Sequence, residues 1–201
     1  MFIERFGFSA SEKVAINAPF DLVWEAILNI EHYPSVYSSC CSAKRIEDKY
    51  SGHRRRQTET SDDSLEIQLM NSKWEIVRVS TLENQQYKFS VAVTQMSLNE
   101  NKRSITLSTS KILGATGSLK LVLERKDNET DGNAESNWQS CEVTAILSLI
   151  PYKIFVELLG IMCCICLLKW RAKMAMDCDL EDLKQACEVR AKQRVRASTS
   201  N

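Results

Sequence analysis

Hydrophobic and polar positions change period twice along this chain of 201 residues. Residues 1–11 carry no clear period and read as an extra strand or a loose arm. Residues 13–17 (KVAIN) alternate as a short strand that Ala18 and Pro19 end. The spacing then lengthens. Phe20, Val23, Trp24, Ile27 and Leu28 fall on one helix face, with Asn17 as a candidate cap and Asp21 in the first turn, where a carboxylate meets the positive end of the helix dipole. A second helical piece, residues 30–37, is broken by Pro34. Such a bent pair leaves a gap in the wall that a sheet alone would not.

From Cys40 the period becomes two. Residues 43–49 and 53–60 read as a hairpin turned at Tyr50-Ser51-Gly52, and 64–70 and 73–82 as two further strands. Phe89, Val91 and Val93 share one face. Ile105 and Leu107 do the same, then Leu119, Leu121 and Leu123, and finally Cys141, Val143, Ala145, Leu147 and Leu149. Alternation of this kind gives one buried and one solvated face, as in antiparallel sheets. Turn-forming residues crowd 127–137 (DNETDGNAESN), which reads as a long mobile hairpin loop.

From Pro151 to about Lys192 the period is helical again. Phe155, Leu158, Met162, Ile165, Ala172, Met176, Leu180, Leu183 and Cys187 recur at three- and four-residue steps, and Pro151 suits a first helical turn. About 42 residues make roughly 63 Å of helix. A compact chain of this size is only roughly 40–45 Å across. The spacing therefore predicts a bend near Gly160 or over residues 176–179, or an end overhanging past Cys187. The order of elements predicts an α+β fold: about six or seven antiparallel strands, two short helices after the first strand and one long C-terminal helix. A sheet of that size with one apolar face must curl or be covered, and one helix is too narrow to fill its concave side. A cavity is the expected remainder.

Composition narrows what the cavity can be for. At 44% hydrophobic residues the chain can bury a substantial core, and its balance of 26 basic and 26 acidic residues offers no global field for nucleic acid. The unevenness is local: residues 191–201 form a basic, polar tail expected to be disordered. Among the eight cysteines, Cys163, Cys164 and Cys166 sit inside the helical segment, where near neighbours point to different faces. Without a secretory pattern at the N-terminus, these read as reduced thiols of a cytoplasmic protein. Neither a metal nor a cofactor is expected, since finger-like Cys/His spacing and phosphate-cradling glycine loops are absent.

The residues resemble the START-like superfamily, also called the birch-pollen-allergen-like or polyketide cyclase/dehydrase group. Val14-Ala15-Ile16-Asn17-Ala18-Pro19, then Val23-Trp24-Glu25-Ala26-Ile27-Leu28, then Ile30-Glu31-His32-Tyr33-Pro34 look like its strand, A-P, helix with V-W and Y-P break. Asp179-Leu180-Glu181-Asp182-Leu183-Lys184 is similar to the D-L-x-x-L-K that ends its long helix. The resemblance implies a helix-grip domain over residues 12–190, preceded by the arm of residues 1–11. It also implies an enclosed cavity for a lipid, sterol, quinone or isoprenoid. Catalytic residues are not shared across that superfamily, so none is assigned.

Candidate cavity residues are Tyr33, Tyr37, Trp74, Arg78, Phe89, Val91, Leu107, Phe155, Leu159, Met162 and Cys166. Trp74 and Arg78 share a strand face, as an aromatic platform with a polar anchor or as core and a paired cation. The alternatives are a polyketide cyclase/dehydratase-like enzyme, which needs a convergent polar set such as His32, Tyr37 and Arg78, and a chaperone-type interaction module with a filled interior. The partner expected is a hydrophobic small molecule, taken up by a monomer. The apolar run 154–168 is roughly 15 residues long and contains Glu157, short of the ~20 that span a bilayer. It reads as a buried helix start, and a transient membrane-surface contact stays open.

Overall fold

A computed structural model describes residues 7–46, 69–79, 85–112, 115–126, 140–151 and 161–199. Among them, seven strands form one antiparallel sheet: β1 (Phe8–Ile16), β2 (Cys40–Ile46), β3 (Lys73–Val79), β4 (Gln86–Leu98), β5 (Lys102–Ile112), β6 (Ala115–Arg125) and β7 (Cys141–Pro151). The helices α1 (Phe20–Leu28) and α2 (Tyr33–Val36) follow β1, joined by a 3-10 turn over Ile30–His32, and α3 (Ile161–Thr199) is the last element. The strand order is β1-β7-β6-β5-β4-β3-β2, so β2 to β7 run as a meander and β1 adds beside β7. The two short helices carry the chain from one edge of the sheet to the other. This is the helix-grip arrangement, a curved sheet around a long C-terminal helix.

The alternation read from the sequence sets the inward face: Val91, Val93, Ile105, Leu107, Leu121, Leu123, Val143 and Ala145 are all buried. Curvature comes from three register shifts, at Cys40/Ser42, Val93/Gln95 and Thr109/Ile112. An extra residue bends the strand that carries it and increases its twist. At the second shift Thr94 and Gln95 are both exposed, and the inward set passes from odd positions to Met96. Gly117 stands opposite Leu149, whose side chain lies where a Cβ on residue 117 would be.

Several boundaries differ from the sequence reading. β1 begins at Phe8 and pairs with β7 along its whole length, from Phe8↔Leu149 to Ile16↔Cys141, so residues 8–11 belong to the sheet. Pro19, not Asn17, stands at the α1 cap position, and the Asn17 N–H donates to Glu188 Oε1 at 3.1 Å. Pro34 lies in the first turn of α2 and starts that helix, because a first-turn residue needs no N–H partner. Pro151 is the last residue of β7, beyond the last β1 rung and paired with Ala115, so it is a strand residue and not part of a first helical turn. Leu69 to Asn71 turn where a strand over 64–70 was expected, with Asn71 at φ 62°, a conformation asparagine tolerates. The rest of that strand, the 53–60 return strand, the 127–137 loop and Gly160 lie outside the described residues.

α3 is uninterrupted at residues 176–179 and runs 39 residues, about 58 Å. It also continues through most of the segment expected to be a disordered tail, with Ala191 buried. Residues 188–197 (EVRAKQRVRA) contain no Gly or Pro, and their Arg, Lys, Ala and Gln are good helix formers. Their positive charge also suits the negative end of the helix dipole. The overhang therefore starts past Ala191.

Candidate functional site

Between the sheet and the first half of α3 lies a cavity of about 350 Å³, within the ~300–1,000 Å³ of small-molecule sites. Its floor is the inward face of five strands: Ile76 and Arg78 of β3, Phe89 and Val91 of β4, Leu107 and Thr109 of β5, Leu119 and Leu121 of β6, and Ala145, Leu147 and Leu149 of β7. α3 contributes Leu168, Ala172, Met176, Leu180 and Leu183, and Tyr33 and Tyr37 close one side. Most of this lining is apolar because the period-two pattern places mainly hydrophobic residues on the concave face.

One end is different. Arg78 Nη2 donates to Asp179 Oδ1 at 2.6 Å, and Ser39 Oγ donates to the same oxygen at 3.3 Å. The Arg78 guanidinium lies 5.8 Å from the centre of the Tyr37 ring, which meets Tyr33 edge-on at 4.9 Å. The Tyr33 hydroxyl donates to the Ile27 carbonyl at 2.8 Å. One helical turn on, Asp182 Oδ2 accepts from both the N–H and the hydroxyl of Ser38, each at 2.7 Å. The two aspartates of the D-L-x-x-L-K motif thus hold the α2–β2 turn against α3.

Burial governs the protonation of this cluster. It pushes Asp179 up, against Arg78 and Ser39, which favour the carboxylate. It works against the charge on Arg78 as well, but there Asp179 more than compensates and holds the cation. Tyr33 and Tyr37 are pushed well up by burial, and Cys40 is pushed up by burial against the pull of Arg78. At the far side of the cavity the Thr109 hydroxyl is buried without a partner among the described residues.

Of the residues singled out from sequence, Tyr33, Tyr37, Arg78, Phe89, Val91 and Leu107 line the cavity. Trp74 does not. It shares the β3 face with Ile76 and Arg78 but is buried beyond the cavity, its indole N–H donating to Ser72 Oγ at 2.8 Å. Cys166 is exposed, because it lies about 200° round the helix from Leu168. Phe155, Leu159 and the Met162 side chain lie outside the described residues, as does His53. His32 is exposed with Nδ1 2.8 Å from Asn29 Oδ1, and is not in the cavity lining. Sequence reasoning missed Asp179, although a carboxylate on an otherwise apolar helix face was its signal. It also missed Leu119, Leu147 and Leu149, which the same alternation rule would have included. Among the described residues no group of His, Cys, Asp or Glu could hold a metal, and no helix is long and apolar enough to cross a membrane.

At the level of sequence, no protein-family model and no curated protein matches the chain. Solved structures do. A START superfamily protein from Mycobacterium smegmatis is 14% identical with a TM-score of 0.56, over 92% of this chain and 97% of that one. The Zhui aromatase/cyclase from Streptomyces sp. R1128 is 12% identical with a TM-score of 0.59, over 96% and 98%. The di-domain ARO/CYC BexL from the BE-7585A biosynthetic pathway superposes at 8% identity with a TM-score of 0.61, over 91% of this chain. The chain spans 50% of that di-domain protein.

Proposed function

We propose that this chain, whose helix-grip fold is that of the START-like superfamily, is a binding protein for a hydrophobic small molecule of the lipid, sterol, quinone or isoprenoid kind. The observation that carries this reading is the apolar cavity between sheet and α3, with a part-buried ion pair, Arg78–Asp179, at its end. Burial of apolar ligand surface, at about 25 cal/mol per Å² before ordering costs, supplies the affinity. The Arg78 end orients an oxygen-bearing group. The α2–β2 turn, held by Asp179 and Asp182, is the piece of wall whose release would admit or free the ligand.

The solved aromatase/cyclases keep an enzymatic reading in view, but Tyr33 and Arg78 are already engaged. Among the described residues Tyr33 is tied to a carbonyl, Arg78 to Asp179, and His32 lies outside the cavity lining, so these three form no free acid–base set there. An open interior likewise argues against a filled interaction module. Native mass spectrometry of gently purified protein is expected to show a lipid-soluble adduct. A fluorescent lipid probe is expected to enter the wild type and to be excluded by Leu147→Trp, which fills the cavity. No adduct together with no uptake overturns the reading.

A further inference from the structure

The exposed side of α3 beside the cavity carries an apolar patch that the proposed binding role leaves unused. Leu167, Trp170 and Met174 are 56%, 52% and 39% exposed. At about 100° per residue, these three fall within about 60° of one another on the helix. The patch is bounded. Asp177 and Glu181 occupy the same face in the next turns and are exposed, so it ends at Met174. Basic residues flank it, Arg171 on one side and Lys169 on the other, while Lys173 is paired with Glu12 of β1; residues 161–176 include no Asp or Glu. The patch also adjoins the cavity, since Leu168, Arg171 and Met174 are among its lining residues.

We infer that this face of α3 docks on the surface of a membrane bearing anionic lipid headgroups. Tryptophan, leucine and methionine side chains suit the boundary between headgroups and acyl chains, where an indole keeps its N–H wet and buries its ring. The flanking cations add attraction to an anionic leaflet, with their alkyl stems following the apolar surface. The helix lies on the surface and does not enter, because lysine and arginine recur every second residue from Lys169 to Lys173. A second copy of this chain is the poorer occupant, since self-association would bring the same cations face to face. Docking at this place sets against the lipid the stretch of α3 that lines the cavity through Leu168, Arg171 and Met174, which shortens the path of an apolar ligand between bilayer and cavity.

The test uses the full chain with vesicles of phosphatidylcholine alone and with about a third phosphatidylserine. Cosedimentation is expected with the anionic vesicles and to fall severalfold at about 0.5 M salt. Trp170→Glu and Leu167→Asp are expected to lower vesicle binding about tenfold or more, because each puts a carboxylate where apolar surface was buried. Both positions are exposed, so unchanged circular dichroism and unchanged probe uptake from solution are expected in each. That control separates docking from ligand binding. Failure to bind anionic vesicles, or equal binding by wild type and both variants, overturns the inference. So does a wild-type dimer in sedimentation velocity that Trp170→Glu renders monomeric.

Discussion

Along α3 one helix meets the sheet in two different ways. Toward its C-terminal half it packs into a solid core: Cys187 lies with Ile16 of β1, Cys141 and Val143 of β7 and Ile27 of α1, all fully buried. Toward its N-terminal half the same helix stands off β4, β5 and β6. Phe89, Leu119 and Leu147 there are only partly buried, with the cavity in between. The difference follows from what fills the gap. At the solid end α1 and the close approach of β1 supply side chains. At the hollow end α2 is only four residues long and supplies Tyr33 and Tyr37 at the margin. Stability is concentrated where the helix is gripped, and binding where it is not.

The largest effect is expected where the two regions join, at Arg78 and Asp179. Arg78→Met leaves a part-buried carboxylate with only the Ser39 hydroxyl as side-chain partner among the described residues, and should cost about 3–5 kcal/mol in urea unfolding near neutral pH. Burial already favours the protonated carboxyl, so the loss should shrink as pH falls and Asp179 takes up a proton. The double variant Arg78→Met/Asp179→Leu should recover most of it. An additive double variant would mean that the pair is not coupled. Next comes a direct contrast of the two ends. Ile27→Ala should cost about 2–5 kcal/mol, because it opens a void among fully buried neighbours. Leu147→Ala enlarges a space that already exists and should cost about 1 kcal/mol while admitting a bulkier probe. Equal shifts in the urea midpoint at constant slope would erase the distinction.

How far this division could be read from the sequence depends on the kind of signal. Strand faces were legible because burial on one side imposes period two, as in Ile105 and Leu107 or Leu119, Leu121 and Leu123. A cavity was legible too, as an arithmetic remainder of sheet width over helix width. Its outline was not. Trp74 and Ile76 obey the same alternation, yet one is core and the other cavity wall, because that depends on which strand lies under α3 at each rung. Cys166 was misplaced for a related reason, since an apolar helix start with hydrophobic residues on several faces has no unique inward direction. Pro151 was ambiguous because a strand end and a helix start both tolerate a missing N–H. Asp179 needed the third dimension: its partner is Arg78, 101 positions away.

A last test, silent near neutral pH, compares the two ends through their thiols. Burial raises the Cys187 thiol from the ordinary 9.0 to about 12 and the Cys141 thiol from 9.0 to about 11. Between those limits the folded chain holds protons that the unfolded chain has lost. The stabilisation from keeping these thiols neutral is therefore complete below pH about 9 and declines as pH rises through the folded values. Each group contributes a slope of up to about 1.4 kcal/mol per pH unit. Cys187→Ala and Cys141→Ala should each flatten that alkaline decline. Cys178, exposed beside the cavity, belongs to the other regime. It should react with a thiol reagent in the native state, at a rate that bound ligand lowers, whereas Cys187 should react only as fast as the protein unfolds. Comparable native-state labelling of Cys178 and Cys187 would show that the gripped end opens as readily as the hollow one, and the division of α3 into two regimes would not stand.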